Sequence, residues 1–141
     1  MAWSLTEEQE MVRDSVREWV QREVAPVAAE LDKSGEFPMD LFKRAAEHGI
    51  VGLTFPTRFG GGGMSYIMQQ VVSEEIGKEL PSLAMAIGVH CGVAAFALYF
   101  GTEEQREYYL PKAASGEWIF ATNSVGPEGA TNFTEPTTIG T

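Results

Sequence analysis

The chain has 141 residues, 44% hydrophobic and 21% charged, the balance of a globular protein with room for one core. Twenty Asp and Glu face ten Lys and Arg, and a net charge of -10 excludes non-specific nucleic-acid binding, which needs a basic surface. The single cysteine, Cys91, excludes an internal disulfide and any paired-cysteine zinc site. The first residues, Met1 to Glu8, are acidic and amphipathic and lack a basic stretch followed by an apolar one. Secretion is not indicated, and a reducing cytoplasm is the expected location.

Thr6 followed by Gln9 forms a capping box, so the first helix starts there. Val12, Val16, Trp19, Val20, Val24 and Val27 continue it at helical spacing. Pro26 removes one N–H, which predicts a kink or restart before the helix ends near Gly35. Pro38 suits the first turn of a second helix, which runs through Leu41, Phe42 and Ala45 to Gly49. Ile50 to Leu53 reads as a short extended stretch, and Gly60 to Gly63 as a mobile turn. That run is not a phosphate loop, because no Lys-Ser/Thr follows it. Ser65 is the expected N-cap of a third helix carrying Ile67, Val71, Val72 and Ile76.

The fourth helix, Leu83 to Phe100, has 18 residues without a formal charge. It meets the lower length limit for a membrane span, yet it is rich in Ala and Gly, contains His90 and lacks basic flanks. The buried central helix of a bundle is the better reading, with a membrane-associated helix as the weakest option. Thr102 and Gln105 form a second capping box, opening a fifth helix that Pro111 bends and Gly116 ends. Beyond it, Trp118 to Thr122 reads as a strand, followed by turn formers and four threonines between Thr131 and Thr138. The expected division is an all-α domain over residues 1–117 and the start of a β domain over 118–141.

Few side chains suggest chemistry on their own. His90 has no second ligand at metal spacing and reads as a hydrogen-bonded core histidine. Cys91 reads as an inert buried thiol, and His48 as a partner of the last helix carbonyls. The pairs Glu7-Glu8, Glu74-Glu75 and Glu103-Glu104 read as solvated faces or helix-start charges. Ala84, Gly88, Gly92 and Ala95 recur every three or four residues. They allow either close helix packing or a slot for a slender apolar ligand, and sequence alone leaves both open.

Several stretches carry a family resemblance in order: Leu5-Thr6-Glu7-Glu8-Gln9, Val24-Ala25-Pro26, Phe37-Pro38, Gly49 to Leu53, Phe59 to Gly63 and Glu74-Glu75. The most specific runs from Phe100-Gly101-Thr102-Glu103-Glu104-Gln105-Arg106 through Tyr109-Leu110-Pro111 to Gly116-Glu117. Together they resemble the N-terminal region of the flavin-dependent acyl-CoA dehydrogenases. The resemblance implies a mainly α fold, a helical bundle with a short β or loop stub at its C-terminal end. It implies α,β-dehydrogenation of an acyl-CoA thioester, with FAD as cofactor and an electron-transfer flavoprotein as electron acceptor. The intact enzyme is expected to be a homo-oligomer without stable membrane insertion. No catalytic residue is nominated, because the family's proton-accepting carboxylate belongs to a C-terminal domain that this chain is expected to lack. The isolated chain is therefore expected to be inactive.

Position by position, the resemblance puts Ala84, Met85, Gly88 and Gly92 in the wall of the acyl pocket. It puts Phe133, Thr134, Gly140 and Thr141 at the flavin. There the chain departs from the family pattern: it reads Thr137-Thr138-Ile139-Gly140-Thr141 where Gly-x-Gly-Ser-Asp is usual. The enzyme reading also expects the fourth helix to be enclosed, and a helix wetted along one side would count against it. The alternative is a non-enzymatic acidic bundle that binds an apolar ligand or a protein partner.

Overall fold

The computed structural model describes residues 4–123. Among these, the chain forms six α-helices and no strand: α1 Glu7–Trp19, α2 Ala25–Ser34, α3 Met39–Glu47, α4 Tyr66–Gly77, α5 Pro81–Phe100 and α6 Glu103–Ala114. Both capping boxes form, at Thr6 with Gln9 and at Thr102 with Gln105, and the Ser65 hydroxyl accepts the Met68 amide. The helix starts thus follow from local pairing of otherwise orphaned N–H groups.

α1 and α2 are one rod joined by a π-helical turn, Val20–Val24. Pro26 has no N–H to give and its ring crowds the carbonyl four residues back. The chain answers one residue earlier, where the Ala25 amide reaches back to the Val20 carbonyl. The wider turn rotates α2 relative to α1. Ala28 is buried and Val27 is exposed, a shift of one position from the helical spacing expected at Val27. Gly35, in the left-handed conformation at φ 69°, ends the rod.

Pro38 precedes α3 as its N-cap, and not within its first turn. α3 closes in a Schellman motif at Gly49 (φ 72°): Gly49 donates to the Ala46 carbonyl and Ile50 to that of Ala45. Val51, Gly52 and Leu53 therefore lie in turns, and the expected extended stretch does not form. The glycine run is also unlike the expected mobile turn. Gly62 donates to the Gly52 carbonyl, Gly63 to Phe55 and Met64 to Leu53, at 2.8–3.0 Å. A Cβ at Gly61 would overlap the Phe55 carbonyl, so glycine is what lets the two backbones touch.

α5 packs between α4 and α6, and α1 packs on α4. Arg17 reaches Glu75 and Gln21 reaches Glu79, so α1 and α4 run in the same direction. Tyr66 meets Tyr99, and His90 meets Ala113, so α5 runs antiparallel to both α4 and α6. The main core joins Trp19, Val20, Phe42, Val51, Val72, Ile76 and Leu83. A smaller cluster gathers Phe55, Ala94, Ala113 and Ala114, with Phe120 against it.

Glu75 corrects the reading of Glu74-Glu75 as a solvated face. Its side chain is 4% exposed, and it accepts from Arg17 Nε and Nη2 at 3.0 Å and from Lys78 Nζ at 2.8 Å. The Arg17 guanidinium, and then Lys78, hold the carboxyl below its ordinary range against the opposing effect of burial. A lowered carboxylate pKa contributes stability at neutral pH that is lost as pH falls below about 4. Glu75→Gln is expected to be less stable at pH 7 and to lose less on acidification, as urea unfolding at pH 7 and pH 3.5 will show.

Candidate functional site

α5 begins with Pro81 at a position whose N–H needs no helical partner, and it continues as 20 residues without a charge. Leu83, Ile87, His90, Cys91 and Ala94 form its buried stripe. The opposite stripe presents Met85, Gly88, Gly92, Phe96 and Tyr99, one helical face at spacings of three and four. Met85 is 67% exposed and Phe96 62%. α5 is long and apolar enough to cross a membrane by length and composition. Leu83, Ile87 and Cys91 of its buried stripe nevertheless belong to the same core as α1, α3 and α4.

The structure separates the two readings of the small residues. Ala84 is half-buried, and its Cβ would stand 3.7 Å from a Cβ built at Gly77 of α4, the geometry of close helix packing. Gly88 and Gly92 are different. A Cβ at either position would meet nothing within 4 Å. No neighbouring helix of the described chain requires glycine there. Tyr99 and Tyr66 join hydroxyls at 3.1 Å at the far end of the stripe, and this contact pushes the Tyr66 pKa up to about 12. Phe96 stacks on Phe100 beside them.

This open side is also a correction. The enclosed fourth helix expected from sequence is not present: α5 is wetted along one side, and the described residues do not close a pocket over it. A second concavity, of about 350 Å³, lies between α1, α4 and the segment after α3, lined by Val12, Ser15, Trp19, His48, Leu53 and Met64. Contrary to expectation, the His48 side chain does not reach the helix carbonyls; its ring leans on Trp19 at 5.7 Å while its backbone N–H donates to the Arg44 carbonyl.

His90 and Cys91 behave as core residues. Cys91 Sγ donates to the Val51 carbonyl at 3.1 Å, and burial pushes its pKa up to about 12, so it is no nucleophile at neutral pH. His90 is fully buried; Nε2 lies 3.0 Å from the Ala113 carbonyl, and Nδ1 accepts the Phe120 amide at 3.1 Å. That amide bond takes Phe120 out of any strand ladder, and residues 118–123 run irregularly where a strand was expected. Trp118 is held separately, with its amide on the Lys112 carbonyl and Lys112 Nζ 4.1 Å over its ring.

Of the residues implied by resemblance, Ala84, Met85, Gly88 and Gly92 share α5, with the latter three on its open side. Phe133, Thr134, Gly140 and Thr141 lie outside the described residues. The open side itself is apolar and offers no set of donors for a flavin, so no step through FAD is derived from it. Sequence reasoning missed the Glu75 ion cluster and the His90–Phe120 bond. Glu75 and Lys78 stand three apart on one helix, but nothing local points to Arg17, fifty-eight residues away. For the second, the uncharged run around His90 signalled burial without naming a partner.

Comparison with known proteins agrees with this fold. The sequence model described as acyl-CoA dehydrogenase, N-terminal domain, matches residues 6–117. A probable acyl-CoA dehydrogenase of Bacillus subtilis, YngJ, is 41% identical over 117 residues, covering 82% of this chain and 31% of that protein. The solved glutaryl-coenzyme A dehydrogenase in complex with glutaryl-CoA superposes with a TM-score of 0.89 at 26% identity, over 94% of this chain and 35% of that one. An acyl-CoA dehydrogenase of Bacillus anthracis complexed with FAD gives 0.82 at 27% identity, over 92% and 22%. The chain spans about one third of the length of the curated relatives it matches. With an ordered motif series, a helical bundle of the same shape and a family match over most of its length, this chain belongs to the acyl-CoA dehydrogenase family, whose N-terminal helical domain it carries.

Proposed function

We propose that this chain serves as the N-terminal domain of a flavin-dependent acyl-CoA dehydrogenase and that the open side of α5 forms one wall of its acyl channel. The observation that carries this is the family match over residues 6–117, which outweighs the wetted side of α5, and the empty space over Gly88 and Gly92 on this uncharged helix supports the wall. A fatty thioester needs an elongated apolar surface, worth about 0.8 kcal/mol per buried methylene. Small residues leave room for it, while Met85 flanks the space. In the protein that carries this domain, FAD would supply the hydride acceptor, with Phe133, Thr134, Gly140 and Thr141 as the residues of this chain that would hold it. The chain's own part is to bind and orient hydrocarbon and to exclude water along α5. The wetted side of α5 is, on this reading, the half of a channel whose other half is supplied from outside the described residues.

The remaining assignments belong to the same proposal. They are Phe133, Thr134, Gly140 and Thr141 at the flavin, an electron-transfer flavoprotein as acceptor, a homo-oligomeric intact enzyme and a cytoplasmic setting. The domain division after residue 117 is supported by the end of the family match there. The proton-accepting carboxylate is not among these residues, so the 141-residue chain mixed with FAD and an acyl-CoA is expected not to bleach the flavin; clear bleaching would refute the division of labour.

Gly88→Leu tests the wall itself. In the protein that carries this domain together with its flavin, a leucine displacing about four methylenes is expected to cut kcat/KM for a long acyl-CoA by about two orders of magnitude. The isolated chain is expected to unfold at the same temperature or higher, since glycine is the poorer helix former by about 0.8 kcal/mol. Unchanged kinetics would remove α5 from the channel.

A further inference from the structure

We propose that His90 is a proton-operated latch: its unprotonated Nδ1 holds the backbone of Phe120, and so the chain leaving α6, against the bundle, and protonation lets that chain go. The inference rests on hydrogen-bond geometry and is independent of the acyl-channel reading.

A backbone amide can only donate. Its 3.1 Å approach to Nδ1 therefore assigns that nitrogen as the acceptor, and the ring proton goes to Nε2, which donates to the Ala113 carbonyl at 3.0 Å. One neutral tautomer satisfies both bonds. A second proton would have to sit on Nδ1, facing the Phe120 N–H, so the imidazolium and the docked connector exclude each other.

The Ala113 carbonyl favours the charged form, but the rings around His90 among the described residues do not. Phe42 of α3 stands edge-on at 5.3 Å, Phe55 lies at 6.5 Å and Phe120 itself at 5.8 Å. α6 contributes the Ala113 carbonyl, and on α5 the neighbouring Cys91 remains a neutral thiol. On α6, Tyr109 meets the Phe120 ring, and Lys112 Nζ lies over the rings of Tyr108 and Trp118. Burial thus acts on His90 without a countering charge and lowers its pKa from the ordinary histidine value. A lowered histidine pKa makes the docked state most stable at high pH, with stability lost as pH falls below about 6.5.

Of the two bonds, the one to Phe120 is the one that can yield. Ala113 is fully buried within α6, whereas Ala121 and Thr122 are exposed and irregular. Trp118 has its own ties to Lys112, Tyr108 and Tyr109, none of which involves His90. Release therefore begins after Trp118.

The test is a pH titration of the 15N-labelled 141-residue chain from pH 8 to pH 5, reading the His90 ring nitrogens and amide exchange. At pH 8 the Nε2–H tautomer is expected. As His90 takes its proton, Phe120 amide protection is expected to fall at least tenfold while the Ile87 and Ala94 amides of α5 stay protected. His90→Asn places a neutral acceptor near the Nδ1 position and is expected to keep Phe120 protected across the range. His90→Gln sets its amide end near the Nε2 position, where its NH2 can donate to Ala113, but leaves no acceptor at the Nδ1 position, and is expected to leave Phe120 unprotected at every pH. The latch is overturned if Phe120 stays protected through the His90 titration, if His90→Asn loses protection on acidification as the parent does, or if His90→Gln protects Phe120 as the parent does. A His90 that stays neutral until Ile87 and Ala94 also exchange overturns it as well. Should a variant fail to fold, the parent titration decides by itself.

Discussion

Phe42→Ala is expected to lower the unfolding free energy of this chain by about 3–5 kcal/mol. Phe42 is fully buried on α3, with Phe37 at 6.1 Å on one side and His90 at 5.3 Å on the other. Truncation removes the ring's transfer energy and leaves a hole that three separate elements border, so collapse around it is limited. An edge-on contact with His90 and a tilted one with Phe37 go with it, each worth about 0.5–1.5 kcal/mol. A domain of this size is stable by about 5–15 kcal/mol, so the loss is a large fraction of the total. Denaturant unfolding should show a lower midpoint with an unchanged slope. A shift below about 1 kcal/mol would mean that the α3–α5 contact is not packed as described.

Gly61→Ala is expected to cost about 3 kcal/mol, although it adds a single methyl group in a loop. The new Cβ falls on the carbonyl and within 2.6 Å of the Cβ of Phe55, itself 1% exposed. Backbone cannot swing aside as a flexible side chain can. Relief would have to break the bonds that tie Gly62 to Gly52 and Gly63 to Phe55. Gly35→Ala is the internal control. Space is open there, but φ is +69°, so only conformational strain of about 1–2 kcal/mol applies. Thermal unfolding of the two variants side by side separates contact from strain; equal effects would show that the Gly61 contact does not constrain the fold.

Much of this fold was legible because its signals are local. Thr6, Ser65 and Thr102 each reveal a helix start through a partner three residues away. Gly35, Gly49 and Gly116 reveal the stops through a conformation other residues resist. What escaped was set by distant chain. The glycine run reads as freedom, and only the carbonyls of Gly52, Leu53 and Phe55 turn it into a tight seam. Trp118 to Thr122 has the composition of a strand, but His90 claims the Phe120 amide from thirty residues upstream. Glu75 looks like half of a solvated pair until Arg17, fifty-eight residues away, neutralises it. Of the candidate site, the apolar length of α5 and its small residues were readable. That Ala84 packs inward while Gly88 and Gly92 face open space was not, because helical spacing groups the three together and only the neighbouring helices divide them.

The widened turn between Trp19 and Ala25 has a bearing on how this domain can be recombined. Its surplus residue resets the phase of everything downstream, so the two ends of the rod answer to different neighbours through one adjustable joint. A hybrid spliced across Val20–Val24 must inherit that residue together with Pro26, or Val27 will swing inward in place of Ala28 and every later side chain will present the wrong flank.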